Sequence, residues 1–332
     1  MRNTLFIVSL YLILSACGEK SNEVKFISEG NPIVTDKFTA DPAPMVHNGR
    51  LYLYVGHDEA EEGQDFNITE WLCYSTKDMK TWTDHGSVLK PTDFSWGVGE
   101  AWASQVVEKD GKFYYYTTVQ AGAPYNSKVV GVAVSDSPTG PFIDARGTPL
   151  ITDDMTPNGP RGWWNDIDPT VFVDDDGRAY QFYSSENNAT MYISLLTDDY
   201  LKPSGRFTRN FVKESREAPA VFKYDGKYYM LSSGCTGWDP NVAEIAVADS
   251  IMGTWKTIGN PCTGPDADKT FYAQSTYVQP VIGKKDAYIA MFDRWKKKDL
   301  EDSRYVWLPV LIKDGKITIP WHEKWDFSIF DK

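Results

Sequence analysis

Cysteine and histidine are scarce in this sequence. The 332 residues include four cysteines and four histidines. Cys17 belongs to the leader described below, and Cys73, Cys235 and Cys262 remain, an odd number that is not a disulfide framework. Cys235 and Cys262 could pair in an oxidising compartment, but buried free thiols are the favoured state. Since no paired cysteine or histidine motif is present, the sequence predicts no metal site and no cofactor.

Positive charge is also in short supply. Lysine and arginine number 34 against 46 aspartates and glutamates, which gives a formal net charge of −12. Nucleic acid binding requires a basic face, so that class of function is excluded. An acidic surface suits a neutral ligand better than a polyanion. Aromatic residues make up 14% of the chain, a supply that suits strands and sites that stack on flat apolar ligand faces.

No apolar run is long enough to span a bilayer as a helix. The apolar stretch at residues 5–14 follows Arg2 and precedes small residues, which predicts a secretory signal. Residues 14–17, Leu-Ser-Ala-Cys, resemble the bacterial lipobox, in which the cysteine is lipidated; an ordinary cleaved signal is the alternative. We therefore expect residues 1–23 to be signal and tether, and Cys17 to hold an exported lipoprotein on the outer membrane.

Long helical periodicity is absent, and short strands cut by turns take its place. One unit recurs: an apolar strand, a turn with glycine, and an aromatic strand. The copies lie at residues 41–54, 103–116, 168–183, 217–231 and, more loosely, 274–291. A second hairpin follows in most copies, and spacings of about 50–65 residues suit propeller blades. The sequence predicts an all-β fold over residues 24–332, a single five-bladed β-propeller with four-stranded antiparallel blades.

Three of these units open with an acid, namely Asp41, Asp168 and Glu217. The first strand of each blade lines the central channel, so the three acids would share one rim. Each alone could be a turn residue, but clustered acids repel one another, and such a cost is usually retained for chemistry. One protonated and one ionised carboxyl group facing a bond are the machinery of glycoside hydrolysis. A third acid can raise the pKa of the proton donor.

The acid motifs resemble those of glycoside hydrolase family 43. They are ADPAP at 40–44, DIDPTVF at 166–172 and SREAPAVF at 215–222, in the family's order. The family contains five-bladed propellers that remove arabinofuranosyl or xylosyl units with inversion. The resemblance implies that Asp41 is the general base, Asp168 the orienting and pKa-setting acid, and Glu217 the general acid. It implies an exo-acting α-L-arabinofuranosidase or β-xylosidase that acts on oligo- or polysaccharide side chains. We expect the protein to be a monomer.

Other stretches leave alternatives open. The exo-β-1,3-galactanase branch of the family is similar to this chain at residues 234–241, 273–278 and 292–295. That branch often lacks the N-terminal base. Because Asp41 is present here, arabinofuranosidase activity remains the favoured interpretation. A galactofuranosidase-like activity and a carbohydrate-binding propeller without catalysis are further alternatives. Many family members carry a histidine at the channel position of the fifth blade, in some cases with calcium. This chain has Gln274 there, which argues against a structural calcium.

Several residues near the predicted blade openings are candidates for contacting the sugar. Tryptophans in rim loops can stack on sugars, although loop packing explains each of them equally well. Arg294 could instead pair with Asp293 or Asp299. Asp166 rivals Asp168, since residues two apart on a strand share a face, but the proline register favours Asp168. The candidates are Trp96, Trp102, Trp163, Trp164, Trp238, Gln274 and Arg294.

Overall fold

The computed structural model describes residues 24–28, 34, 36–61, 67–155, 166–296 and 299–331. The predicted signal and tether, residues 1–23 with Cys17, lie outside this part of the chain, as do Trp163 and Trp164. Within it the secondary structure is almost entirely antiparallel β. Its strands form four hydrogen-bonded sheets, and because the pair Ile68–Ala101 joins two blades in the first sheet, we number five successive blades, 1 to 5.

The strands of each blade follow one another along the chain. Blade 1 contains β2 (Thr39–His47), β3 (Arg50–Asp58), β4 (Ile68–Thr76) and β5 (Thr81–Leu89), with β1 (Val24–Ile27) beside β5. Blade 2 contains β6 (Gly97–Lys109), β7 (Lys112–Ala121), β8 (Lys128–Ser135) and β9 (Ile143–Asp144). Blade 3 contains β10 (Ile167–Val173), β11 (Ala179–Ser185), β12 (Thr190–Leu196) and β13 (Pro203–Asn210). Blade 4 contains β14 (Arg216–Tyr224), β15 (Lys227–Gly234), β16 (Glu244–Ala248) and β17 (Lys256–Gly259).

Blade 5 contains β19 (Gln274–Pro280), β20 (Tyr288–Lys296), β21 (Asp299–Lys313) and β22 (Lys316–Pro320). The short strand β18 (Cys262–Thr263) pairs in parallel with β22. Short 3₁₀ turns lie between strands at Pro91–Asp93, Asp153–Met155 and Ala267–Tyr272, and another, Phe327–Phe330, follows β22.

The repeated turns make the hairpins that the sequence predicts. Between β2 and β3, Asn48 and Gly49 form a two-residue loop with φ of 49° and 71°. A two-residue hairpin of this kind needs positive φ at both positions, and asparagine, aspartate and glycine tolerate it best. The Asp-Gly turns at 110–111 and 225–226 repeat that geometry between the first two strands of blades 2 and 4.

The innermost strands β2, β6, β10, β14 and β19 close into a ring. Each of them contacts the next, and β19 contacts β2 in turn. The predicted five-bladed propeller is therefore confirmed. The first strand of every blade lines the central channel, and the starts of these strands meet at one end of it.

The core lies between neighbouring blades. Five apolar clusters of described residues fill the five interfaces between adjacent blades. Strand β7 shows how one sequence serves two of them: Tyr115 packs between blades 1 and 2, while Tyr114 and Tyr116 pack between blades 2 and 3. Successive side chains point to opposite faces of a strand. A blade buried on both faces therefore needs a continuous aromatic run.

Side chains close the ring between blades 5 and 1. The Thr39 and Tyr305 hydroxyl groups share a hydrogen bond, and Thr276 Oγ1 donates to the carbonyl oxygen of Pro42 at 2.8 Å. The backbone N–H of Asp41 donates to Asp293 Oδ2 at 2.7 Å. This last contact joins the mouth of the channel to the closure of the ring.

Two further features bear on the sequence predictions. Cys73, Cys235 and Cys262 are all free thiols, so the structure does not contain a pairing of Cys235 with Cys262. Among the described residues there is no helix with the length and apolar character that a membrane crossing requires.

Candidate active site

A β-bulge near the start of each innermost strand aims side chains into the channel. In β2, Asp41 and Pro42 lie between the pairs Ala40–Gly56 and Ala43–Tyr54. These two residues of β2 therefore oppose a single residue of β3, Val55. Strands β6, β10, β14 and β19 have a register shift at the same level. Proline donates no ladder hydrogen bond and is found at bulges, and bulges redirect side chains. Asp41 and Asp168 accordingly have left-handed φ values of 53° and 55°.

Glu217 reaches the channel from a different register. In β14 the bulge residues are Ala218 and Pro219, and Ala218 has the positive φ of 52°. Glu217 is therefore one residue before the position that Asp41 and Asp168 occupy in their blades. Trp102 and Ala103 are the bulge residues of β6, so Trp102 is the equivalent of the two aspartates in blade 2.

The three acids line one cavity of about 310 Å³ at the mouth of the channel. Its walls come from all five blades, which only the closed ring brings together. The volume lies at the lower end of the range for small-molecule sites. The lining residues are Asp41, Trp102, Ile167, Asp168, Asn188, Glu217, Cys235, Gly237, Trp238, Gln274 and Trp295.

Glu217 is nearly buried and is surrounded by hydrogen-bond donors. Asn188 Nδ2 donates to Oε2 at 2.6 Å, and Gln274 Nε2 donates to Oε1 at 2.9 Å. The thiol of Cys235 donates to the carbonyl oxygen of Asn188 at 3.4 Å. Burial raises the pKa of Glu217 above its ordinary value, and the two amide donors oppose the rise. Glu217 is thus held in one orientation and remains a usable proton donor.

Other residues fix the two amides that hold Glu217. The Ser184 hydroxyl donates to Asn188 Oδ1, so the amide nitrogen of Asn188 faces Glu217. Gln274 Nε2 also donates to Ser233 Oγ at 2.6 Å. Both amides present N–H groups to the carboxylate, which favours its ionised form.

Asp168 is placed to control the charge of Glu217. Its Oδ2 accepts the backbone N–H of Ala218, the residue after Glu217, at 3.0 Å. Burial, and then the charge of Glu217, raise the pKa of Asp168 to about 7. Since two neighbouring carboxylates cannot both ionise cheaply, this pair keeps one proton up to neutral pH.

Asp41 lies among other acids. Burial raises its pKa well above the ordinary value, and the charges of Asp293, Asp168 and Asp58 add to the rise. A carboxylate with a raised pKa is a stronger proton acceptor once it is ionised. The cavity therefore contains one acid suited to accept a proton and a pair of acids that shares one.

Aromatic rings form the walls of the cavity. Trp102 lies over the buried ammonium group of Lys128, with Nζ 4.3 Å from the ring centroid. Trp238 and Trp295 meet edge to face, with centroids 5.3 Å apart. A second cavity of about 200 Å³ shares Trp238, Gln274 and Trp295 with the first and has Tyr272 on its wall. Flat apolar walls beside polar groups suit the two kinds of surface of a sugar ring.

Several second-tier predictions need correction. Trp96 is 8% exposed and packs in the core between blades 1 and 2, not at the rim, because its ring lies against Phe94. Trp102 lines the cavity from strand β6 and not from a loop. Arg294 does not line either cavity: its Nε donates to the carbonyl oxygen of Phe271.

The remaining candidates fall as follows. Gln274 and Trp238 line the cavity. Asp166, the rival to Asp168, is fully buried, accepts a hydrogen bond from Ser185 Oγ at 2.7 Å, and is not part of the cavity wall.

Some cavity residues escaped the sequence analysis. Trp295 ends the FDRW stretch at 292–295 and lines the cavity, but the similarity of that stretch to the galactanase branch does not by itself place Trp295 there. Asn188 comes from the turn between β11 and β12, where residues 186–188 all have positive φ. Its asparagine pair signals a turn, but nothing in the sequence places that turn beside the acid of the next blade.

The channel residues do not fit a calcium ion. Gln274, at the channel position of the fifth blade, directs its amide nitrogen to Glu217 and Ser233, and calcium takes oxygen ligands. Within the described ranges, no three residues among histidine, cysteine, aspartate and glutamate are grouped so that they could hold a metal ion.

The fold and this end of its channel define a class, the five-bladed propellers with a carboxylate site at the channel mouth. The chain belongs to glycoside hydrolase family 43: the model of Glycosyl hydrolases family 43 matches residues 29–282.

Individual relatives fit this assignment. The chain is similar to a xylosidase/arabinosidase 43A of Humicola insolens, 37% identical over 165 residues (46% of this chain, 45% of the relative). It is similar to a β-xylosidase of Xylanibacter ruminicola, 33% identical over 294 residues (74% of this chain, 81% of the relative). Among solved structures, a family 43 β-1,3-galactosidase with galactodeoxynojirimycin is 35% identical with a TM-score of 0.76, covering 87% of this chain and 96% of that chain. The chain spans about half the length of two curated relatives that it matches.

Proposed function

We propose that this protein is an inverting, exo-acting glycoside hydrolase, an α-L-arabinofuranosidase or β-xylosidase acting on oligo- or polysaccharide side chains. The observation that carries the proposal is the convergence of Asp41, Asp168 and Glu217 on one cavity. Family membership supports the reaction class, and relatives named xylosidase/arabinosidase support the choice of sugar.

In the proposed mechanism the two ends of the acid cluster have opposite tasks. Glu217 gives its proton to the glycosidic oxygen as the bond from that oxygen to the anomeric carbon breaks. Asp41, in its ionised form, takes a proton from a water molecule whose oxygen attacks the anomeric carbon from the opposite face. After the reaction Glu217 is ionised and Asp41 is protonated. A net transfer of one proton from Asp41 to Glu217, through solvent, returns the enzyme to its starting state.

Asp168 acts on Glu217 in this mechanism. Its Oδ2 holds the backbone directly after Glu217. Because the two acids share one proton, the repulsion between their charges raises the pH at which the pair loses it, which keeps Glu217 available as the proton donor. The second cavity, beside Trp238 and Trp295, gives room for the leaving group, which is the part of the substrate that carries the glycosidic oxygen away.

A second candidate is action on β-1,3-linked galactose. Two solved family 43 β-1,3-galactosidases match this chain at 35% and 30% identity and cover 87% and 93% of it. The presence of Asp41, which the exo-β-1,3-galactanase branch often lacks, favours the first candidate.

A panel of nitrophenyl glycosides tests the proposal, with Glu217→Gln as the matched inactive control. Release of nitrophenol from α-L-arabinofuranoside or β-D-xyloside is expected, and the control variant should be far slower. Preference for β-galactoside and β-1,3-galactobiose would support the second candidate. No hydrolysis of any member, with sugar binding intact, would instead indicate a binding propeller.

We also propose that the protein is exported and anchored by a lipid on Cys17. The support is the charged start, the apolar stretch and the Leu-Ser-Ala-Cys motif of residues 1–17. In bacterial cells, the full-length protein should partition into the detergent phase of Triton X-114, and Cys17→Ser should move it to the aqueous phase. Equal partitioning of both would refute the lipid anchor.

A further inference from the structure

Asp293 is a fully buried carboxyl group next to the proposed catalytic acids. It lies on β20, the second strand of blade 5, and is 0% exposed. Its Oδ2 accepts the backbone N–H of Asp41 at 2.7 Å, across the closure of the ring. Its Oδ1 has no hydrogen-bond partner of normal geometry among the described residues. A half-satisfied buried carboxyl group is costly and calls for an explanation.

The groups that face Asp293 are acids or neutral hydroxyls. Asp41 comes from β2, Asp58 from β3 and Tyr305 from β21, and Asp168 lies beyond Asp41 across the cavity. Asp58 is itself 3% exposed and accepts the backbone N–H groups of Ala60 and Asn67. The charge that acts most strongly on Asp293 is that of Asp58, another acid.

Hydrogen bonding alone does not require an acid at this position. At the equivalent bulge of blade 3, the N–H of Asp168 donates to a hydroxyl group, Thr118 Oγ1, at 3.2 Å. A threonine thus satisfies the same backbone group without a buried charge. The carboxyl group of Asp293 therefore supplies something besides an acceptor, and Asp41 is the group it touches.

We propose that Asp293 is a positioning residue for Asp41: it pins the left-handed backbone that points Asp41 into the cavity, and its negative charge makes Asp41 a stronger proton acceptor. This inference rests on the proposed function, in which Asp41 is the general base. Burial raises the pKa of Asp293 itself to about 7, and the backbone N–H groups of Asp41 and Arg294 oppose that rise. Below that pH the two neighbouring acids compete for one proton, and above it Asp293 carries its full charge. After burial, the charge of Asp293 is the largest cause of the raised pKa of Asp41.

Asp293→Asn separates the two contributions, because an asparagine oxygen still accepts the Asp41 N–H while the charge is removed. The acidic limb of the kcat/KM profile reports ionisation of the base in the free enzyme. Without the neighbouring charge the pKa of Asp41 falls, so this limb should move to lower pH by about one unit or more. Asp293→Ala removes the acceptor as well, and should lower kcat at every pH with little change in KM.

Asp58→Asn is the matched control, since Asp58 is a buried acid of the same neighbourhood that does not bond to Asp41. It should move the limb less and leave kcat near the wild-type value. If Asp293→Asn does not fold, Asp293→Thr repeats the test with the kind of acceptor that blade 3 uses. An acidic limb that stays in place in the folded Asp293 variant overturns the inference.

A readout without catalysis separates this inference from the proposed function. The carboxyl carbon of Asp41, in ¹³C-aspartate-labelled protein, can be titrated by NMR with Asp41→Asn for assignment. A lower pKa of Asp41 in Asp293→Asn, together with no hydrolysis of any glycoside by the wild type, would support the electrostatic coupling and refute the proposed function. Hydrolysis by the wild type with an unchanged Asp41 titration would refute the inference and keep the function.

Discussion

Replacing Asp168 by asparagine should shift the pH dependence of catalysis in a defined direction. The asparagine can still accept the Ala218 N–H that Asp168 accepts at 3.0 Å, so the backbone after Glu217 stays in place. What disappears is the negative charge next to Glu217. In the wild type the two acids share one proton up to about pH 7. In the variant, Glu217 titrates alone and loses its proton at lower pH.

The size of the shift follows from the interaction between the two charges. A neighbouring charge shifts a pKa when it lies within about 4–6 Å. At the outer end of that range, with an effective dielectric constant of about 20, the repulsion of two unit charges is on the order of 3 kcal/mol. At 1.36 kcal/mol per unit, this corresponds to about 2 pKa units. The cavity is open to water on one side, which screens the charges, so we expect the basic limb of kcat/KM to move down by about one to two units.

Folding stability gives a second readout of the same charge. Some acids have a higher pKa in the folded state than in the unfolded state. Such an acid lowers the free energy of unfolding as the pH rises from its unfolded-state pKa to its folded-state pKa. For Asp168 the window runs from 3.8 to about 7, and the full effect is at most about 4 kcal/mol. Asparagine does not titrate and is free of this cost. The Tm of Asp168→Asn minus the Tm of the wild type should therefore increase as the pH rises across this window.

Nitrophenyl glycoside kinetics between pH 4 and 9, with thermal unfolding at the same pH values, make up the assay. A basic limb that stays at the wild-type position, with no relative gain in Tm, would refute the coupling between Asp168 and Glu217.

Three further predictions concern the same cavity. Glu217→Gln and Asp41→Asn should each lower kcat about 10²–10⁴-fold with unchanged thermal unfolding; near-normal turnover would remove either residue from its role. Asn188→Ala removes a hydrogen-bond donor that stabilises ionised Glu217. The pKa of Glu217 should therefore rise, and the basic limb of kcat/KM should move to higher pH by about one unit. A basic limb that moves to lower pH would contradict this role of Asn188. Trp238→Ala should raise KM about tenfold with kcat nearly constant, as loss of uniform binding does; an unchanged KM would exclude Trp238 from sugar contact.

The fold could be predicted because it repeats. Each hairpin carries its own turn signal, such as Asn48-Gly49, and an aromatic strand that serves two interfaces, such as residues 113–116. Five copies of a unit that cannot bury both faces alone require a closed ring. The position of the acids at blade openings followed from the same repeat.

The contents of the cavity were harder to predict. The sequence repeat aligns Glu217 with Asp41 and Asp168. In the structure it is Ala218, one residue later, that occupies the equivalent bulge position in blade 4. Asn188 and Asp293 reach the acids from a turn and from a second strand, and these contacts exist only across blade interfaces. A repeat defines which strands line a channel, but not which side chains of the neighbouring blades meet there.

Trp96 shows the opposite failure. Its place near the start of a predicted blade suggested a rim loop, yet its ring packs on Phe94 in the core. Composition shows where a loop lies along the chain; only packing shows which way a large apolar side chain turns.

The stereochemistry of hydrolysis tests the central claim most directly. Proton NMR of the first sugar released from a good substrate identifies its anomer before mutarotation. Opposite roles for Asp41 and Glu217, with a water molecule between base and sugar, predict that the first product has the inverted configuration. A first product with retained configuration would mean that a group on the protein attacks the sugar, and would contradict the account.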